Sequence, residues 1–507
     1  VNIKREADAL VATLMATPWG QVSASIYETG RLITLAPWLT GHRERIAYLL
    51  NSQRPDGSWG APGGYGLVPT LSATEALLSA ASGGGPEDEP LCEPALRGLA
   101  ALRERLPTAE LPDMPALDLI VPSLVTLINA HGVGEPLALP AGLDFSRYER
   151  VQHVVASGAE LPEKLLHALE VAGPAAGGAS VRPTAIGTIG ASPAATAAWL
   201  VRDVWPGGPA FLDADLVRSH LEAVALRYGG PVPVGLPITV FERGWVLSWL
   251  TRAGIPVDVP PEMVADLRAA IGPRGASAGP GLPADADTTS VALYALALLG
   301  LPRDPESLLN FDAGTHFCTW QGEDGFSISV QAHVLDAFGA YAAARPERAA
   351  AYLPVIDRLA RLLAERQQPD GSWDDRWHAS PYYATLSCVL ALGEYGGPHA
   401  GDAVARARAW VLDTQRPDGS WGRWDGTVEE TAYAVQALLL PTQSGSGAEA
   451  RAAARGYEYL RSSGEMSDYP PLWHDKDLYT PIAIVKAATL AALYLTAQHP
   501  TTQEIRT

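Results

Sequence analysis

Apolar residues recur at three- and four-residue spacing along most of the chain. The segments "PALRGLAALRERL" (94–106), "SVALYALALLG" (290–300), "AAAYLPVIDRLARLLAERQ" (349–367) and "TAYAVQALLL" (431–440) carry the pattern. This spacing predicts amphipathic helices. Alternating patterns that would predict strands are scarce. Short Gly/Pro/Asp clusters separate the helices, as turns do.

Those clusters repeat. "QRPDGSWG" begins at Gln53, "QQPDGSWDDRW" at Gln367 and "QRPDGSWGRW" at Gln415, and a degenerate copy, "VRPTAIGTIGASPAATA", starts at Val181. Such repetition predicts stacked helical units. Pro-Asp-Gly makes a turn after a helix, with Gly in a conformation other residues avoid. The Trp then packs on a neighbouring helix and the Gln bridges backbone groups. The copies fall into an early and a late cluster. A Gly/Pro/Ala-rich stretch, about 173–208, lies between them and suggests a boundary between two helical domains.

Composition narrows the function. The 507 residues are 47% hydrophobic and 18% charged, a globular balance. The net charge of −19, 37 basic against 56 acidic groups, argues against a nucleic acid as main partner. It leaves room for an anionic substrate in a local basic pocket. No apolar run approaches the ~20 residues of a membrane span, and no leader-like segment opens the sequence. Three cysteines (Cys92, Cys318, Cys388) make no disulfide framework or zinc spacing. A cytoplasmic location is expected.

The most informative short segment is "LPADADTTS" (282–290), where Asp285 and Asp287 precede an apolar helix. Asp or Thr there also serves as a helix N-cap. Taken with the Gln-x-x-Asp-Gly-Ser-Trp repeats, the segment resembles class II terpene cyclases, the family of squalene–hopene cyclases and copalyl diphosphate synthases. Further segments resemble that family in the same order. They are "VSASIYETGRL" (22–32), "MPALDLIVPSL" (114–124), "LLHALE" (165–170) and "GGPVPVGLPITVFERGWVLSWL" (229–250), then "WHASPYYAT" (377–385) and "LWHDKDLYTP" (472–481).

The resemblance implies an all-α fold of two α/α-barrel domains. An N-terminal segment, 1–21, would join the second domain (209–507), with the first (22–208) inserted after it and the active cavity between them. Asp287 matches the family's proton donor, Asp285 its neighbour, and His333 a histidine that in hopene cyclases hydrogen-bonds the acid. The chemistry demands this setting. An alkene is a very weak base, so the donor must be a neutral carboxylic acid in a dry pocket, and burial beside a second carboxylate favours that form. A histidine bond orients the proton and strengthens the acid. Where many relatives carry a third carboxylate, this chain has Thr288. The Asp-x-Asp-Thr-Thr form resembles bacterial drimenyl diphosphate synthases, which points to farnesyl diphosphate as substrate and drimenyl diphosphate as product. The alternative is geranylgeranyl diphosphate giving a copalyl-type diphosphate.

Aromatic faces stabilise migrating positive charge. Trp245, Trp320, Trp377, Tyr382, Tyr383 and Tyr433 are the candidates. The Asp-Asp-x-x-Asp cluster of class I synthases is missing, since Asp374-Asp375 lacks its third carboxylate. The diphosphate is therefore expected to survive, with Lys476 as its counter-charge. Glu110 and Asp113 occupy the place of the family's acidic motif and are the expected Mg²⁺ ligands. "GPEDEP" (85–90) reads as a solvated loop. Two other classes remain. A protein prenyltransferase β-subunit would need an Asp/Cys/His zinc site, and a helical-barrel binding protein would bind a prenyl diphosphate without turnover.

Overall fold

The computed structural model describes residues 2–83, 89–201, 209–323, 325–440, 447–463 and 471–500. The acidic stretch 84–88 and the residues around position 208 lie outside them.

Helices dominate, and the described strands are two short antiparallel ribbons, Ala276–Ser277 with Ala284–Asp285 and Trp473–His474 with Leu478–Tyr479. In the second half of the chain six helices close a ring. They are Thr239–Arg252, Ala286–Leu298, Ile328–Ala344, Pro381–Tyr395, Val428–Leu439 and Ile482–Gln498, each packed on the next and the last on the first. They are apolar on nearly every face, as inner staves must be. Amphipathic helices such as Leu353–Glu365, which buries only Leu359, Ala360 and Leu363, form the outer layer. The helix Ile3–Ala16 is one of these outer staves. Its Ala7, Leu10, Val11 and Leu14 belong to the core that contains Trp245–Leu495.

The first half builds a smaller ring from Ile26–Leu35, Leu67–Ala80, Leu117–Ala130, the 3₁₀ segment Glu163–Gly178 and Pro193–Trp199. Outside it lies Pro209–Tyr228, whose Leu221, Val224 and Ala225 share a core with Val22, Leu32, Ala36 and Ala197. A division at 208 would cut that helix from its own barrel. The Gly/Pro-rich composition marked loops inside the first barrel, and the break between cores falls between Leu236 and Trp245.

Polar N-caps start six of the inner helices. Ser25, Ser192, Asp285, Ser327, Ser380 and Thr427 each accept a backbone N–H of the following turn. The repeats are identical staples. Gly57, Gly371 and Gly419 have φ of +83°, +101° and +89°. Gln53, Gln367 and Gln415 each donate to that glycine's carbonyl and to a carbonyl of the next outer helix. Trp59, Trp373 and Trp421 donate Nε1–H to Leu49, Leu363 and Val411. The degenerate copy keeps the geometry with Ile189 in the Trp position, its N–H donating to Thr196 Oγ1 as Trp59 N–H does to Thr70.

Candidate active site

Asp285 ends the 276–285 ribbon and caps Ala286–Leu298, its Oδ1 accepting from Thr288 N–H at 2.6 Å. Thr289 ties the cap down, donating to Asp285 O and accepting from Ala276 N–H. The cap reading and the chemical reading of this segment are thus both satisfied, because capping holds Asp285 beside Asp287. Burial pushes the Asp285 carboxyl up to about 7, with Asp287 adding to the rise against the Thr288 hydrogen bonds. Asp287 Oδ1 lies 2.6 Å from His333 Nδ1, which projects from Ile328–Ala344. Burial disfavours the charged form of His333, but Asp287 and more distant carboxylates outweigh it and raise its pKa.

Asp285, Asp287 and Thr288 open into a cavity of about 200 Å³ between the two barrels. The first barrel contributes Pro115, Ala116, Lys164, His167 and Ala168 to its wall. Phe241, Trp320, Trp377, Trp473 and Tyr479 make the wall aromatic. Trp320 and Trp377 meet edge to face at 5.2 Å. Trp245 stands one layer back, against Phe241 at 4.3 Å and edge-on to His333. Tyr383 and Tyr433 lie deeper still, in contact with each other, and Tyr383 also touches Trp473. One carboxylate oxygen, Glu429 Oε1, accepts from Trp473 Nε1 (2.7 Å), Tyr433 OH (3.0 Å) and His378 Nε2 (3.0 Å). Ser380 N–H donates to His378 Nδ1, so the His378 proton sits on Nε2.

One expected residue belongs elsewhere, and another reaches the cavity wall already paired. Tyr382 packs on Trp410 of the outer layer, because neighbours on a helix point about 100° apart and Tyr383 takes the inward position. Lys476 is no free counter-charge. Its ammonium is buried and bonded to Glu170, Ser192 and the His167 carbonyl at 2.8–2.9 Å, and it pairs with Glu28. Burial works against its charge, but Glu170, Glu28 and Asp475 outweigh this and raise its pKa. It locks the 473–479 ribbon to the first barrel.

Sequence reasoning passed over several wall residues that the quoted segments contain. Phe241 lies in 229–250, Trp473 and Tyr479 in 472–481, and His167 in 165–170. His167 faces acceptors on both ring nitrogens, Gly190 O at 2.6 Å and Asp475 Oδ1 at 2.9 Å, so it is held as an imidazolium. Lys164 had no signal of its own. Its ammonium stands 4.5 Å over Trp320, near Arg376, which overlies Trp377. Burial, with repulsion from Arg376, pushes Lys164 down to about 8. The two cations are held by carboxylates, Lys164 by the half-buried Glu323 and Arg376 by the exposed Asp113.

Asp113 and Glu110 are exposed on the segment leading to Pro115. Among the described residues no three His, Cys, Asp or Glu side chains cluster as a metal site. Two exposed carboxylates fit an ion held mainly by phosphate oxygens, not a cage made by protein alone. Asp375 is fully engaged, capping 328–344 through Ser327 and Ser329 and accepting from Trp377 N–H. Among the described residues no helix is long and apolar enough to cross a membrane.

Comparison with known proteins bears on this arrangement. Residues 323–481 match the squalene–hopene cyclase C-terminal domain. The chain is 42% identical to a protein named ent-copalyl diphosphate synthase from Streptomyces sp. (strain KO-3988), over 97% of this chain and 96% of that one. It is 40% identical to labda-7,13-dienyl diphosphate synthase of Streptomyces clavuligerus, over 96% and 93%. The solved structure of ent-copalyl diphosphate synthase from Streptomyces platensis superposes with a TM-score of 0.92 at 43% identity, covering 98% of this chain and all of that one. With its two barrels and its carboxylate pair between them, the chain belongs to the bacterial class II terpene cyclase family.

Proposed function

We propose that this cyclase converts geranylgeranyl diphosphate to a copalyl-type diphosphate. The observation that carries the chemistry is Asp287, backed by His333 and facing an aromatic cavity. The chain length is favoured by the relatives named as copalyl and labdadienyl diphosphate synthases, in preference to the farnesyl reading of the Asp-x-Asp-Thr-Thr segment.

In this reading His333 donates Nδ1–H to Asp287 Oδ1, which leaves the transferable proton on Oδ2. The terminal alkene takes that proton with its π electrons, forming a C–H bond and a tertiary cation. Two further alkenes attack in turn, and a proton is lost from carbon at the end, so the diphosphate is untouched. Trp320, Trp377, Trp473 and Phe241 face the moving charge, each such contact contributing about 0.5–2 kcal/mol. Lys164 and Arg376 replace Lys476 as the counter-charge, exchanging Glu323 and Asp113 for the diphosphate. Mg²⁺, when bound, would neutralise phosphate charge, with Asp113 and Glu110 supplying carboxylate oxygens.

The test incubates the protein and Mg²⁺ with farnesyl and geranylgeranyl diphosphates in parallel, with products analysed before and after phosphatase. A bicyclic diterpene alcohol seen only after phosphatase, and lost in Asp287→Ala, is the expected result. A drimane alcohol as the main product would restore the farnesyl reading. Turnover of neither would overturn the diphosphate-cyclase proposal.

A further inference from the structure

Behind the acid lies a second, separate chamber. It is lined by Trp245, Ser248, Arg252, Tyr294, His333, Asp336 and Ser387 among others, and holds about 20 Å³. That is room for one water, and the polar lining supplies the two to four partners a buried water needs. No residue lines both this chamber and the main cavity. The hydrogen bond from His333 to Asp287 connects them.

His333 uses Nδ1 on Asp287, and none of the hydrogen bonds among the described residues uses its Nε2. Asp336 stands three residues further along the same helix, so both side chains leave one face. Asp336 Oδ1 accepts from Arg252 at 2.6 Å, and Arg252 Nε lies 3.2 Å from Glu394. Two carboxylates thus share one guanidinium. This leaves one negative charge beside the imidazole. A proton on both ring nitrogens of His333 would balance that charge in a site with almost no solvent.

We propose that Asp336 is a positioning residue for the acid: through a water in this chamber it holds His333 doubly protonated, so that Nδ1–H is always donated to Asp287. The water accepts from Nε2–H and donates to the Asp336 carboxylate. The proton of Asp287 is then directed to its other oxygen, toward the substrate. Besides Asp336, the groups around His333 are Asp287 and Tyr294 from 286–298, Arg252 and Trp245 from 239–252, Tyr383 from 381–395, and Asp375, with Glu394 lying behind Arg252.

The inference rests on Asp287 being the acid, but its test does not need turnover. Protein carrying ¹⁵N-histidine is titrated by NMR, with the His333 signals identified by their loss in His333→Asn. Asp336→Asn removes the charge. Ser387→Val fills the chamber and keeps every charge, giving up only a hydrogen bond within its own helix. The expected result is a His333 midpoint at least about one pH unit lower in each variant than in the parent. The alkaline limb of kcat falls by the same shift, with KM unchanged. A His333 midpoint unmoved in folded Ser387→Val, or a His333 neutral in the parent at pH 6, overturns the proposal. If the protein cyclises no diphosphate, the functional reading fails while the titration still decides this one.

Discussion

At the scale of single residues, the site is organised by what each polar atom can accept or donate. Glu429 shows this most plainly, since one oxygen collects an indole, a phenol and an imidazole that would otherwise point at one another's π faces. In Glu429→Gln the charge is lost and an amide N–H₂ enters a site of donors. The unfolding free energy is expected to fall by about 1–3 kcal/mol, read from the denaturant midpoint. An unchanged midpoint would mean that Trp473 and Tyr433 are held by packing alone. Asp285, Asp287 and His333 were legible because a local cap and one helix place all three. Tyr382 and Tyr383 could not be told apart in the sequence, because a single helical step decides which ring faces inward. The pairing of Lys476 was not legible, because its carboxylates, Glu28 and Glu170, come from a distant part of the chain that no local pattern connects to it.

At the scale of elements, the ribbon 473–479 does two jobs. Trp473 and Tyr479 wall the cavity, while Asp475, Lys476 and Asp477 reach into the first barrel, to His167, Glu170 and the Ser25–Tyr27 turn. This separates two lysines by experiment. Lys476→Met leaves two buried carboxylates without a cation, so a loss of about 3–5 kcal/mol is expected, seen as a large fall in Tm or as insoluble protein. Lys164→Met should leave Tm within a degree or two, because Lys164 is half exposed, and should raise KM for the prenyl diphosphate roughly tenfold, as removal of one charge-assisted bond would. The reverse pattern would return the counter-charge to Lys476. The repeats were readable because the same few residues build the same turn each time. The ribbon was not, since its role depends on the barrel it touches.

At the scale of the whole molecule, buried acids set the pH response. Burial holds Asp285, Asp477 and Glu242 near 7, above their unfolded values. A raised carboxyl stabilises the fold below its unfolded pKa, and that contribution is lost as pH climbs through about 7. His220 and His474, pushed down to about 4 by burial, and His42, also lowered, oppose this below about 6.5, but the raised carboxyls, Glu28 and Asp336 among them, outnumber them. Tm should therefore be several degrees higher at pH 5.5 than at 7.5, and a calorimetric scan at both values checks it. A Tm rising toward pH 7.5 would show that the buried histidines, His220 and His474, outweigh the raised carboxyls. The path of the chain between barrels also lies at this scale, and composition could not reveal it, because Gly and Pro mark loops within a domain as readily as loops between domains.

That path has a consequence for how the protein is made. Residues 3–16 form an outer stave of the second barrel and pack on 482–498. The chain leaves for the first barrel beside the point where it returns, with Ile238 N–H bonded to Trp19 O and Val22 bridged to Pro481. The first barrel is thus a detour whose entrance and exit touch, and it can close while the ribosome is still working. The helix at 3–16 has to wait for its partner at 482–498 until both barrels between them have been made. The second barrel, and with it the site at the junction, can close only once residues 482–498 have been made.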